Sequence, residues 1–136
     1  MKLIFVLFTT IVIGCMENNF LHSPNVVAEK YYDALIINDM EAASLYATDR
    51  SQLPNDPSVR FTMKEYILSK ANIDKNYATI HTTTNDNNGE ITFETMLEKI
   101  DGNWKINVKQ TMLEMFESAT ANDKWRIKSQ STIDIK

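Results

Sequence analysis

Few side chains of this sequence could do chemistry. It contains one cysteine, Cys15, and two histidines, His22 and His81. A single cysteine excludes an internal disulfide bond and a zinc cluster built on cysteines. The two histidines are not spaced as a helical metal-binding pair, so no metal site is predicted. The three glycines build neither a phosphate-binding loop nor a Gly-x-Ser-x-Gly elbow for a serine nucleophile.

His81 has the side chain that proteins use most often as a general acid or base. It lies within YATIHTTT, where the residues alternate as in a β-strand. The alternation places His81 on the more polar face, opposite Ala78 and Ile80. We therefore expect an exposed sheet residue. His22 lies in a short polar segment, where we expect a solvated side chain.

The composition is that of one globular domain. The chain has 136 residues, of which 43% are hydrophobic and 24% are charged, and these values exclude a multi-span membrane protein. The net charge of -4 and the sequence pI near 5.1 give no sign of a basic surface. Nucleic acid is therefore not an expected partner, and no cofactor is predicted.

The first residues are typical of an export signal. Lys2 precedes an apolar run, Leu3 to Ile13, which would be roughly 16 Å long as a helix and too short to span a bilayer. The run ends in VIGC, which resembles the lipobox of bacterial lipoproteins. The resemblance implies a signal peptide over 1–14, cleavage before Cys15, lipidation of its thiol, and a tether over 15–23. Met16 favours the outer membrane if the cell is Gram-negative.

The residues after the tether predict a helix. Ser23 is a good N-cap and Pro24 suits the first helical turn. The next apolar residues recur on one helical face: Val27, Tyr31, Ala34 and Leu35. Asn38 and Glu41 fit a capping box and predict a shorter second helix.

The middle of the chain changes from helical to strand patterns. Residues 50–59 contain two prolines and predict a loop. Thr62 and Glu65 fit another capping box and predict a third helix from about Met63 to Ala71.

Two strands are predicted next, over 77–84 and 90–100, followed by a hairpin turn at Asp101 and Gly102. A two-residue turn pairs Leu97 with Ile106 on the inner face and Glu98 with Lys105 on the outer face.

The C-terminal third permits two interpretations. TMLE followed by WKI is echoed by TMLE followed by WRI, and this echo favours a second hairpin with a loop over 118–123. The alternative is a helix that places these residues on one face: Val108, Met112, Met115 and Phe116. We predict the strand.

The segment from Ser23 to Tyr46, with its corner NDMEAA, resembles the opening of nuclear-transport-factor-2-like domains. The hairpin DGNWKI is similar to the late strand pair of many small bacterial lipoproteins in that superfamily. The resemblance implies an α+β domain over 24–136, with two to three N-terminal helices packed on a curved antiparallel sheet of about four strands. An early strand of such domains is weak or missing in the sequence.

The resemblance also implies a pocket between the first helix and the concave sheet. Enzymes of the superfamily use an Asp, His or Tyr there as acid or base, which makes Tyr31, Tyr32, Asp33, His81 and Trp104 the residues to consider. Asp33 is expected on a solvated face, and no motif carries over an acidic dyad, so no catalytic residue is assigned. The candidate pocket comprises Tyr31, His81, Leu97, Trp104 and Ile106.

We expect a lipid-anchored binding or accessory domain of the cell envelope without catalytic activity. Its expected partners are the membrane, through the lipid, and an envelope protein or a small apolar ligand; a homodimer is compatible with the resemblance. One alternative is an inhibitor or immunity lipoprotein that acts by protein contact, and another is a small-molecule isomerase or dehydratase. Trp104, Trp125, Phe93, Phe116 and the many methionines are expected in the core, with a ligand pocket or an interaction face as the alternative.

Overall fold

The computed structural model describes residues 23–49, 62–87 and 89–133, with side chains as far as Ala121. The fold is α+β: two helices precede a curled antiparallel sheet, and a third helix follows it. The predicted fold class is therefore confirmed. The signal peptide, Cys15, His22 and the predicted loop over 50–59 lie outside the described residues.

Helix α1, Pro24–Ile36, begins where the sequence predicts. The Ser23 hydroxyl accepts a hydrogen bond from the Val26 amide at 3.3 Å. The helix buries these residues: Pro24, Val27, Ala28, Tyr31, Tyr32, Ala34 and Leu35. This face includes all four residues that the helical spacing predicted.

Helix α2, Met40–Ser44, is present, but its predicted cap is wrong. Asp39 is the N-cap, and its Oδ1 accepts from the Ala42 amide at 2.9 Å. Asn38 instead has a φ of 58°. A left-handed residue of this kind ends a helix, and asparagine tolerates that conformation. Asn38 therefore lies in the corner that ends α1.

The predicted third helix from about Met63 to Ala71 is wrong, because the middle of this segment forms a strand and a second strand follows directly after Ala71. Strands β1, Glu65–Leu68, and β2, Asn72–Asp74, both pair antiparallel with β3, Tyr77–Asp86. Tyr66 and Leu68 pack against the core while Glu65 and Ile67 are exposed, which is the two-residue period of a strand. The region before β3, for which the sequence predicted no strand, therefore contains β1 and β2.

The sheet order is β1-β3-β4-β5, where β4 is Gly89–Ile100 and β5 is Asn103–Ile106. Leu97 pairs with Ile106 and Glu98 with Lys105, as predicted. The turn residues Asp101 and Gly102 have φ values of 49° and 81°. Two successive positive φ values are typical of the type I′ turn that the Asp-Gly pair favours.

The predicted C-terminal hairpin is wrong, because the chain forms helix α3, Val108–Ile133. The Asn107 amide still donates to the Met96 carbonyl at 2.8 Å, as in a strand. Asn107 Oδ1 then accepts from the Gln110 amide at 3.0 Å, and the Met96 amide donates to Thr111 Oγ1 at 3.0 Å. These side chains start a helix where backbone pairing would have continued a strand.

The core lies between α1 and the inner face of the sheet. Residues 78, 80, 82 and 84 of β3 alternate with exposed or half-buried neighbours, and the same holds for 93, 95 and 97 of β4. After α2, the chain pairs with the outer edge of β5. The Ile106 amide donates to the Tyr46 carbonyl at 2.7 Å, and the Thr48 amide donates to the Ile106 carbonyl at 2.9 Å.

Candidate functional site

Four of the five candidate pocket residues lie together in the core. Tyr31, Leu97, Trp104 and Ile106 are each at most 5% exposed. They come from α1, β4 and β5, which the predicted packing of the helix on the sheet would bring together. Their side chains fill the space between these elements.

His81 does not join these four residues. It lies on the outer face of β3, opposite Glu94 of β4, and both side chains are exposed. His81 Nδ1 is 3.6 Å from Glu94 Oε1. An exposed pair of this kind contributes little to stability even when the histidine is charged. The exposed position is the one that the alternation of YATIHTTT predicted.

A buried row of hydroxyl groups lies within the core. The Tyr32 hydroxyl is 2.6 Å from Thr95 Oγ1, which is 2.6 Å from Thr82 Oγ1. Thr82 in turn donates to the Ile80 carbonyl at 3.2 Å. Burial raises the pKa of Tyr32, although the hydroxyl groups of Thr95 and Thr82 oppose this shift. Tyr32 is therefore a neutral structural group at physiological pH.

This row was missed at the sequence level, although a signal for it exists. The alternation that exposes His81 also places Thr82 on the inner face with Ala78 and Ile80. A threonine on an apolar face needs a hydrogen-bond partner. Thr95 lies on the adjacent strand, beside Ile80 in the register, and could have been proposed as that partner.

Asp33 is exposed on α1 and accepts a hydrogen bond from Tyr66. The distance from the Tyr66 hydroxyl to Asp33 Oδ1 is 2.6 Å. Partial burial and this carboxylate raise the pKa of Tyr66. The Tyr66 ring lies 5.4 Å from the ring of Tyr32, which lies 5.3 Å from that of Tyr31. Asp33 thus helps to hold β1 against α1.

An open apolar groove lies between the first half of α3 and the start of β4. Its volume is about 600 Å³, within the range typical of small-molecule sites. We call it the α3 groove. Its walls are Ile91 of β4 and these residues of α3: Val108, Lys109, Met112, Leu113, Met115, Phe116 and Ala119.

The α3 groove opens outward from the core. Val108 is part of the core, and Ile91 and Met115 pack against it. Further along the helix, Met112 and Leu113 are exposed, and Phe116 is 71% exposed. Large apolar side chains that remain this accessible are typical of a binding surface. The helical alternative predicts that Val108, Met112, Met115 and Phe116 share one face. It does not predict which of them are exposed.

A second, smaller groove of about 440 Å³ lies between α1 and α2. Lys30 and Asp33 lie at its wall together with Ile37 and Tyr46. Its wall therefore carries both charges beside apolar residues. The α3 groove is more uniformly apolar.

Within the described ranges, no group of three or more metal-ligating side chains could hold a metal ion. No helix in that part of the chain is long and apolar enough to cross a membrane.

No known family model matches this chain, and no curated protein is significantly similar to it in sequence.

Proposed function

We propose that this protein is a lipid-anchored binding domain of the bacterial cell envelope and has no catalytic activity. The observation that carries the binding role is the α3 groove, an exposed apolar site beside a filled core. The anchoring role is supported by the apolar segment that ends at Cys15, in the sequence before the described residues. The resemblance to nuclear-transport-factor-2-like domains remains part of this proposal, supported by the helical corner and the curled sheet.

A role without catalysis is supported by where the acid–base candidates lie. His81 and Asp33 are both exposed, so neither is held in an apolar setting that would tune it for proton transfer. Burial raises the pKa of Tyr31, and the nearby Tyr32 raises it further. A tyrosine in this state is a poor base at neutral pH.

The binding role can be tested with a neutral apolar probe. The full chain is reconstituted in lipid nanodiscs and irradiated with a long-chain alcohol that carries a photoreactive diazirine. We expect mass spectrometry to locate the label on residues of the α3 groove. Burial of each methylene group contributes about 0.8 kcal/mol, so a carboxylate placed in the groove by Met112→Asp should abolish most of the labelling.

Glu117→Gln is the matched control, because Glu117 is exposed on α3 and does not line the groove. It should label as the unaltered chain does. Labelling that is spread evenly over the chain, or that persists in Met112→Asp, would contradict a binding role for the groove.

The exposed Phe116 also favours the alternative of an inhibitor that acts by protein contact, since aromatic residues are enriched at the centres of protein interfaces. Chemical crosslinking in intact cells separates the two functions. An inhibitor should give a crosslink from α3 to a distinct envelope protein and no label from the alcohol probe.

A further inference from the structure

The α3 groove is lined by apolar side chains and one positive charge, which restricts the ligands that it can bind. Of the side chains that line it, all are apolar except Lys109. Lys109 lies in the first turn of α3 and is exposed. The groove thus combines a long apolar wall with one positive charge near the start of the helix.

Within the described part of the chain, no neighbouring side chain neutralises the charge of Lys109. Among the described residues, no carboxylate lies within ion-pair distance of it. Glu114, on the same helix, instead accepts a hydrogen bond from Gln110 Nε2 at 3.2 Å. Lys109 is therefore available to an anion that enters the groove.

We propose that the α3 groove binds a single-chain anionic amphiphile, such as a long-chain fatty acid. The hydrocarbon chain lies against Ile91, Met112 and Phe116, and the carboxylate lies beside Lys109. This inference rests on the binding role proposed above and names the class of ligand.

Two observations favour this ligand over other occupants of an apolar surface. The groove is open, but its walls come from both a strand and a helix, so a hydrocarbon chain lying in it contacts Ile91 as well as α3, whereas a flat bilayer surface would meet only the outermost side chains. Its charge is complementary to an acidic head group, whereas a neutral lipid would gain nothing from the charge of Lys109. The volume of about 600 Å³ suits one small molecule.

The test compares two photoreactive probes of equal chain length, a fatty acid and the corresponding fatty alcohol. The full chain in lipid nanodiscs is irradiated with each probe, and labelling of the α3 groove is measured by mass spectrometry over a range of concentrations. The acid should bind about threefold more tightly than the alcohol, the size expected of an exposed charge pair. The preference should decrease as salt is added.

Two variants test whether Lys109 causes the preference for the acid. Lys109→Gln should bind acid and alcohol equally, while Lys109→Arg, which keeps the charge, should retain the preference for the acid. If acid and alcohol label the unaltered chain equally, the ligand class is wrong. If the preference for the acid survives in Lys109→Gln, the carboxylate does not lie beside Lys109, and the proposed binding mode is overturned. The binding role itself would still stand, because the alcohol labels the groove.

Two further arms exclude other occupants. A diazirine placed on a two-chain phospholipid of the nanodisc should label α3 weakly; labelling as strong as that by the fatty acid would show that the helix lies on the bilayer, against the proposal. Crosslinks between the α3 helices of two chains, together with a loss of probe labelling, would show that the groove is covered in a dimer. That result would also overturn the proposed ligand. If neither single-chain probe labels the groove, the ligand class and the binding role both fail.

Discussion

At the scale of single residues, the buried hydroxyl row is the most constrained feature of the core. Tyr32 comes from α1, Thr95 from β4 and Thr82 from β3, so the row joins the helix to two strands. Within the described residues, no buried side-chain nitrogen or oxygen lacks a hydrogen-bond partner. Removing one member therefore has a cost that depends on which partner is left behind.

We expect Thr95→Val to be more destabilising than Tyr32→Phe. Valine keeps the shape of threonine but leaves the buried Tyr32 hydroxyl without its partner, at a cost of about 1–3 kcal/mol. Tyr32→Phe should cost about 1 kcal/mol, because Thr95 still bonds to Thr82. Urea unfolding of the single variants and of the double variant measures these costs. Strictly additive effects would show that the two side chains are not coupled.

The buried tyrosines also predict a loss of stability in alkali. Burial raises the pKa of Tyr31 and Tyr32 in the folded chain, whereas an unfolded tyrosine has a pKa of about 10. Below that pH both states keep the proton and stability is unaffected. Above it the unfolded state loses protons first, so the free energy of unfolding should fall by about 1.4 kcal/mol per pH unit for each such tyrosine.

Urea unfolding between pH 8 and 11.5 checks this expectation. Tyr32→Phe should show a shallower decline than the unaltered chain over the same range, since it has one fewer tyrosine to ionise on unfolding. An identical slope in both proteins would rule out Tyr32 as a source of the pH dependence.

At the scale of elements, β1 and β2 form one interrupted edge strand along β3, and Asn25 of α1 fills the interruption. Its Nδ2 donates to the Ser69 carbonyl at 2.8 Å, and its Oδ1 accepts from the Ala71 amide at 2.9 Å. These bonds replace ladder bonds that a continuous strand would make. The first turn of α1 is thereby fixed to the edge of the sheet.

We expect Asn25→Ala to destabilise the domain by about 1–3 kcal/mol, because it removes both bonds from partly buried backbone groups. Asn25→Asp keeps an acceptor for the Ala71 amide, so its free energy of unfolding should fall by less. Hydrogen exchange of that amide is the direct measurement: it should accelerate in Asn25→Ala and change little in Asn25→Asp. Equal exchange rates in both variants would mean that the Asn25 side chain does not protect the Ala71 amide.

The sequence predicted those elements whose signals are local. The Asp-Gly turn requires two positive φ values, and from it the pairing of Leu97 with Ile106 and of Glu98 with Lys105 followed. The segment from Met63 to Ala71 was misassigned because the capping pattern of Thr62 and Glu65 is a local signal. The residues that make this segment a strand belong to β3, which comes later in the chain and offers it an edge to pair with. Helix α3 was misassigned because a four-residue echo was given more weight than the helical spacing of the apolar residues from Val108 to Phe116.

At the scale of the whole molecule, the site was predicted only in part. The apolar candidates Tyr31, Leu97, Trp104 and Ile106 are together, as the packing of α1 on the sheet implied, but they form core rather than an open pocket. The α3 groove was not predicted, because it exists only if residues 108–119 are helical and leave one face without a partner. Phe93 is in the core as expected, whereas Phe116 is exposed.

The proposed lipid anchor predicts where the whole chain is found in the cell. In a bacterium that acylates lipoproteins, the unaltered chain should incorporate labelled palmitate and sediment with membranes. Cys15→Ser removes the only thiol, so it should lose the label entirely and keep its first fourteen residues. Met16→Ser, which leaves the thiol in place, is the control. Labelling of Cys15→Ser would contradict lipidation at this residue.

The interruption filled by Asn25 has a kinetic consequence. The contacts of α1 reach far along the chain: Asn25 bonds to a residue 46 positions away, and Tyr32 to one 63 positions away. Long-range pairing of this kind slows folding, because long loops must close before it forms. Helix α1 therefore cannot complete its packing until the strands have been synthesised. In the proposed envelope setting, the domain would become compact only after the residues of the sheet have crossed the membrane.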